Sequence, residues 1–253
     1  MQKYSRINGS TLKLIALISM LTDHTAAVIF PYLMIKYEVY TIDFSMDYAS
    51  MALSQGLAGW LYILYQIMRR GIGRLAFPIY CFLLVEGFER THSRAKYAFR
   101  LFLFALISEV PFDLAFHGYR VYLYYQNVFF TLLLGLLMMW AMKELEERVS
   151  IPVLRWAGMG AVFLAAAFAA EKIYCDYGAN GIIAIALLYL FRKNKWHQII
   201  AGILAFLWEI TAPLAFLFIG FYNGERGLRL KYVFYLFYPL HLLILYYIST
   251  MLI

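Results

Sequence analysis

Residues 11–35 read TLKLIALISMLTDHTAAVIFPYLMI, an apolar run broken near its middle by Thr22-Asp23-His24. About 20 apolar residues cross the roughly 30 Å of a bilayer's hydrocarbon core, so this stretch spans a membrane as one helix. It follows Lys3, Arg6 and Lys13, as a signal peptide's apolar region would. It is too long for that, and it carries an acid and a histidine at its centre, so it reads as a retained span. The run also sets up a geometry. Lys13 and His24 are eleven residues apart, which at 100° per residue closes to within about 20° of three full turns and separates them by about 16 Å on one helix face.

The rest of the chain repeats the pattern. Further candidate spans are 49–68, 73–89, 95–116, 127–143, 153–170, 178–191, 197–221 and 231–253. The 253 residues are 64% hydrophobic, 19% aromatic and only 15% charged, which excludes an ordinary soluble domain and a disordered chain. Connections are short, and no repeat or low-complexity linker divides them. The expected architecture is therefore an all-α polytopic membrane protein, one domain over 1–253, with a bundle of about 8–10 transmembrane helices, some broken or re-entrant.

The net charge of +7 marks cytoplasmic loops of a lipid-embedded chain and implies no nucleic-acid partner. The positive-inside rule puts the N-terminus in the cytoplasm and the loop with Glu38, Asp43 and Asp47 outside. Asn8-Gly9-Ser10 matches a glycosylation pattern but falls on the cytoplasmic side. The segment 73–89 conflicts with this orientation, because Arg70 and Arg74 flank its start while Arg90, Arg94, Lys96 and Arg100 flank its end. Gly71 and Gly73 suit a helix interrupted there, and Pro213 is a candidate break in 197–221.

Ionisable groups inside spans are costly and mark function. His24 and Asp23 come first, with Lys13 in line below. Arg70 and Arg74 beside flexible glycines suit a phosphorylated ligand or serve as an anchor. Glu86 and Arg90 are positioned to pair along a helix. Glu109 and Asp113 flank Pro111 at a helix end. Asn127 and Thr131 lie one turn apart and suit interhelical hydrogen bonds. Asp176 and Tyr177 begin a loop before a helix, and His241 follows Pro239 near the middle of the last span. Two mid-depth histidines meet if the bundle closes on itself. No metal site is expected, because no histidine has a second ligand at metal spacing, and Cys81 and Cys175 imply no disulfide framework. HExxH, CxxC, P-loop and GxSxG motifs are absent. The same buried polar set also suits a proton-coupled transporter or a non-catalytic appendage-assembly protein.

Taken in order, Thr22-Asp23-His24, Gly73-Arg74-Leu75-Ala76-Phe77-Pro78, Leu84-Val85-Glu86-Gly87-Phe88, Ser108-Glu109-Val110-Pro111-Phe112-Asp113, Asn127 to Leu132, Asp176-Tyr177-Gly178 and Phe237-Tyr238-Pro239-Leu240-His241 resemble the TraX family almost end to end. The family's namesake is similar to an acetyltransferase that blocks the N-terminal amine of conjugative pilin, and the family looks like a compact relative of membrane acyltransferases that modify envelope sugars. The resemblance implies a cytoplasmic (inner) membrane enzyme that moves an acetyl group from acetyl-CoA to an amine or hydroxyl of a pilin-like peptide or an envelope acceptor. In the larger relatives a basic residue and a histidine are separated by ten residues, as Lys13 and His24 are. Their arginine pair is separated by two residues, whereas Arg70 and Arg74 have three between them, which favours Arg74. The implied roles are His24 as base or acyl carrier, Asp23 or Glu86 fixing its tautomer, His241 beside them, and Lys13, Arg70, Arg74 and Arg90 holding the donor's phosphates. Glu109, Asp113, Asn127, Thr131, Asp176 and Tyr177 are left as acceptor-binding or structural polar residues.

Overall fold

Asn8 starts the first helix by turning its side chain back on the chain: Oδ1 accepts from the Thr11 amide at 3.0 Å. That cap occupies the side chain of the glycosylation pattern with a structural task. The structure, a computed structural model, describes residues 7–228 and 231–252, and the basic residues Lys3 and Arg6 lie outside it. Helix α1 (Gly9–Lys36) leads to a loop and α2 (Tyr48–Ser54), then α3 (Gly56–Gln66). The chain continues through a π-turn (Ile67–Ile72) and a 3₁₀ turn (Gly73–Leu75) into α4 (Ala76–Arg90). After these come α5 (Arg94–His117), α6 (Val128–Arg148), α7 (Pro152–Lys172), α8 (Gly178–Leu190), α9 (Lys195–Ala205), α10 (Ala215–Gly220) and α11 (Lys231–Thr250). The described residues form no strand, only isolated bridges at Ile7–Tyr222 and Gln126–Cys175. The chain is thus an all-α polytopic membrane protein.

Among the described residues, five helical runs are long and apolar enough to cross a membrane, including Gly9–Lys36 and the 35-residue run Gly56–Arg90. The second of these joins the two segments between which the orientation conflict arose. The expected segments 49–68 and 73–89 do not reverse or dip between Arg70 and Arg74; past Gly56 they are one helical path, about 50 Å long at 1.5 Å per residue. Arg69, Arg70 and Arg74 therefore sit inside one continuous helical run and not at its end. The segment 197–221 does divide. Helix α9 ends in turns and bends over residues 206–211, a 3₁₀ turn follows (Ala212–Leu214), and α10 returns, with Gly202 admitting the ring of Phe216 where the two arms cross.

Two ends of the bundle can be identified from contacts. At one, the Gly9 amide donates to the Glu225 carbonyl at 2.7 Å, and Arg90 Nη1 donates to the Gly224 carbonyl at 2.5 Å. Arg192 pairs there with Glu89 at 3.0 Å and Glu146 at 2.8 Å, and Arg94 pairs with Glu144 at 3.5 Å. This end holds most of the basic residues. At the other, the loops after α5 and α7 join through the Gln126 amide on the Tyr174 carbonyl and the Asp176 amide on the Gln126 carbonyl, both at 2.8 Å. Beyond it, a small apolar cluster of Val39, Ile42, Met51 and Ile63 ties the far end of α1 to α2 and α3.

The π-turn is what positions the interior. A switch from i+5 to i+3 winding cannot give every carbonyl a regular partner. Buried Ser19 on α1 donates to the carbonyls of Ile72 at 2.7 Å and Gly73 at 3.0 Å. Thr211 at the re-entrant tip donates to those of Arg70 at 2.5 Å and Gly71 at 2.9 Å. Each such carbonyl left bare inside a bilayer would cost about 1–3 kcal/mol. The α1 contact is close enough that a Cβ on Gly73 would lie 2.5 Å from Asp23 Oδ1 and 2.7 Å from the Met68 carbonyl. A Cβ on Gly71 meets only Ile67 Cγ2, at 3.9 Å. Gly73→Ala is therefore expected to lower stability in detergent by about 1–3 kcal/mol through overpacking. Gly71→Ala should be neutral or gain up to about 1 kcal/mol from reduced chain entropy, and thermal unfolding of both variants checks the contrast.

Candidate functional site

The first and last helices pack together and bring His24 and His241 into contact. His24 Nδ1 lies 2.7 Å from His241 Nε2, with the rings nearly parallel at 7°. His241 Nδ1 lies 2.7 Å from the Phe237 carbonyl one turn earlier on its own helix. Phe116 from α5 and Tyr238 from α11 stand edge-on to the His24 ring at 5.2 and 5.9 Å. His241 is buried and His24 partly so. The meeting expected of the two histidines is thus present, but neither carboxylate expected beside His24 is bonded to it. Asp23 pairs with Arg69 at 2.7 Å, and Glu86 pairs with Arg90 at 2.6 Å.

A cavity of about 420 Å³ runs from the basic end toward this pair. Gly9, Lys13 and Met20 line it along α1, so it follows that helix for eleven residues, or about 16 Å, and stops one turn short of His24. Its inner end is closed by Met20, Phe129, Leu132 and Tyr238, the last of which touches the histidines. Its outer end is cationic. Lys13, Arg90, Arg100 and Arg226 line it, and only Arg90 has a carboxylate partner among the described residues. Lys13 sits over the Phe234 ring at 5.1 Å and Arg100 over Tyr97 at 5.6 Å, and Arg100 Nε is buried without a hydrogen-bond partner.

Arg70 and Arg74 do not join this mouth. Arg70 is exposed, with only its carbonyl engaged by Thr211. Arg74 faces a second cavity of about 430 Å³ at the opposite end, where it pairs with Glu209 at 3.3 Å. The 16 residues from Arg74 to Arg90 separate the two by about 24 Å of helix rise, which is why sequence proximity misplaced the pair. This second cavity is lined by Asp176, Glu171 and Glu209 together with Tyr124, Tyr125, Tyr174, Tyr177 and Trp208. Tyr177 holds a left-handed backbone, φ 67°, and stacks on Phe77 with centroids 3.6 Å apart. Glu171 Oε1 accepts from the Ala179 amide at 2.7 Å at the start of α8.

The remaining expected residues tie this end together. Asn127 caps α6, accepting from the Phe129 amide at 3.0 Å, and donates to the Ala105 carbonyl at 2.9 Å and to Glu109. Thr131 donates to the Asp176 carbonyl, and buried Asp113 accepts from the Tyr122 amide at 2.7 Å. Arg69, Arg100, Arg226, Glu209 and Tyr238 were not singled out from sequence. The arginines at 100 and 226 are indistinguishable there from ordinary basic anchors, and Glu209 shows itself only once residues 206–214 fold inward.

Tyr125 donates to Asp176 at 2.7 Å, yet burial pushes the Asp176 carboxyl up to about 6, and Tyr125 and Arg74 only partly counter it. A carboxyl raised in this way favours the folded state most when protonated. Its contribution is present below the ordinary value near 4 and is lost as pH rises through 6. Asp176→Asn keeps an acceptor for Tyr125 and removes the titration. Its melting temperature relative to the native chain is expected to rise from pH 4 to pH 6, measured by thermal unfolding across that range.

A cationic cavity, an acidic and aromatic cavity and an imidazole pair between them lie on one polytopic scaffold. No solved structure matches the chain. It is 31% identical over 235 residues, 81% of this chain and 90% of the relative, to a probable fimbrial assembly protein FimC, serogroup H1, of Dichelobacter nodosus. The model of the TraX protein family matches residues 8–249, which takes in both cavities and both histidines, and the chain belongs to that family.

Proposed function

We propose that the protein is a membrane-embedded acetyltransferase that takes acetyl-CoA at its basic end and acylates an amine or hydroxyl reached from the opposite end. The observation that carries this reading is the contact of His24 with His241 beside the inner end of a cavity whose mouth holds unpaired cations. Acyl-coenzyme A is a polyanion with a slender arm. Lys13, Arg100 and Arg226 suit its phosphates, Arg90 is held in place by Glu86, and the aromatic channel along α1 suits the arm that brings the thioester to Tyr238. The positive-inside rule puts this end in the cytoplasm, where the donor is made. The carboxylates and tyrosines of the second cavity suit an acceptor that arrives as an ammonium group.

An acceptor that arrives as an ammonium first gives one proton to water, and transfer from the neutral amine or the hydroxyl then needs no further reactant. His24 takes the proton from a neutral amine or a hydroxyl as that atom bonds to the thioester carbonyl carbon. The carbon–sulfur bond then breaks, and the thiolate recovers the proton from the imidazolium. A relative's name as a fimbrial assembly protein supports placing the acceptor among surface-appendage subunits, and it equally supports a non-catalytic role in their assembly.

Ligand-dependent thermal stability separates these readings. At about 100 times its dissociation constant a ligand stabilises the folded state by about 2.7 kcal/mol. Acetyl-CoA is expected to do so for the native chain and for Arg74→Ala, and to lose the effect in Arg100→Ala and Arg226→Ala. Indifference of the native chain to acetyl-CoA would favour the non-catalytic role. His24→Ala should remain folded and bind acetyl-CoA yet transfer no label to an amine acceptor.

A further inference from the structure

The hydrogen bonds around the two histidines leave little freedom in where their protons sit. A peptide carbonyl only accepts, so at 2.7 Å from the Phe237 oxygen His241 Nδ1 carries a hydrogen. In a neutral imidazole the other nitrogen is then an acceptor. That nitrogen, Nε2, faces His24 Nδ1 at 2.7 Å, a separation that needs one proton between the two and admits only one. It therefore belongs to His24 Nδ1. We infer that His241 is a positioning residue: through the chain Phe237 carbonyl, His241, His24 it holds His24 as the Nδ1–H tautomer, with Nε2 left as the lone-pair nitrogen.

Nothing else facing the pair competes for this role. Asp23, next to His24 in sequence, is turned to Arg69. Glu109 is bonded to Asn127 from α6. Phe116 and Phe237 present only hydrocarbon, and Tyr238 meets both imidazoles edge-on. Pro239 lies between the carbonyl and the ring it holds, so this part of α11 is set by covalent geometry as well as packing. The consequence for transfer rests on the acetyltransferase reading. A histidine whose Nδ1 is committed has one basic nitrogen, Nε2, and when it becomes an imidazolium the Nδ1–H bond to His241 becomes charge-assisted. The arrangement works like a buried acid behind a catalytic histidine, with a neutral imidazole in the acid's place.

The test is nitrogen NMR of the full chain labelled with ¹⁵N-histidine in detergent, with His24 assigned by loss of its signals in His24→Ala. The expected native spectrum shows His24 protonated at Nδ1 and bare at Nε2. In His241→Gln the amide oxygen accepts from His24 and the amide nitrogen donates to Phe237, so the tautomer should persist and kcat should stay within about tenfold. In His241→Leu no acceptor remains; the tautomer should be lost and kcat should fall about 100-fold or more, with KM for acetyl-CoA unchanged. A native His24 bearing its proton on Nε2 overturns the assignment, as does a leucine variant with unchanged tautomer and turnover. Should the leucine variant fail to fold, the native and glutamine spectra still decide. Absence of transfer in the native chain would count against the acetyltransferase reading alone, because the tautomer is read without turnover.

Discussion

A backbone carbonyl inside a bilayer has no water to turn to, and the run from Gly56 to Arg90, long and apolar enough to cross one, changes its winding midway. The hydroxyls of Ser19 and Thr211 answer that demand from two sides. In doing so they fix where α1 and the re-entrant tip lie against the π-turn, and much of the interior follows. Ser19 in contact with Ile72 and Gly73 sets the height at which Asp23 meets Arg69 and His24 reaches α11. Thr211 on Arg70 and Gly71 brings Glu209 to Arg74. One irregular turn thus orients the histidine pair and completes the acidic cavity, and Gly73 is glycine because Asp23 occupies the space a side chain would need.

Charges sort by depth and by partner. At the basic end, Arg192, Arg94 and Lys143 are bound into a lattice with Glu89, Glu144, Glu146 and Glu147 that joins α4, α5, α6 and the turn after α8. Pairs as exposed as most of these contribute up to about 1 kcal/mol each. Lys13, Arg100 and Arg226 have no such partner and rest on aromatic rings or beside one another at a cavity mouth. Cations kept unpaired next to a lattice that could have absorbed them are available for an anion. The division between paired and unpaired cations is what sets the proposed donor face apart.

Much of this was legible in the residues themselves. Long apolar runs gave the helices, and a histidine at mid-depth in the first and last spans marked the pair that meets. The face shared by Lys13 and His24 became one wall of a cavity. What could not be read was how depth is shared along residues 56–90, because Gly71 and Gly73 permit a reversal as readily as a change of winding. Two arginines four residues apart therefore looked like neighbours of Lys13, whereas Arg74 faces the far cavity and Arg70 is exposed. Arg100 and Arg226 were hidden by the rule that gathers basic residues at one membrane face, since function and anchoring use the same residue type there. Asp23 and Glu86 went to arginines and not to His24, because a charged partner holds a carboxylate more strongly than a neutral imidazole does.

In the proposed reaction the donor enters at the basic end and the acyl group leaves toward the other, through His24. Its most direct test uses sealed vesicles carrying the protein in one known orientation, with a membrane-impermeant amine on both faces and labelled acetyl-CoA on one face at a time. Labelled product is expected only when acetyl-CoA is on the face that carries the N-terminus. Product formed equally from either face, or only from the opposite one, would contradict it.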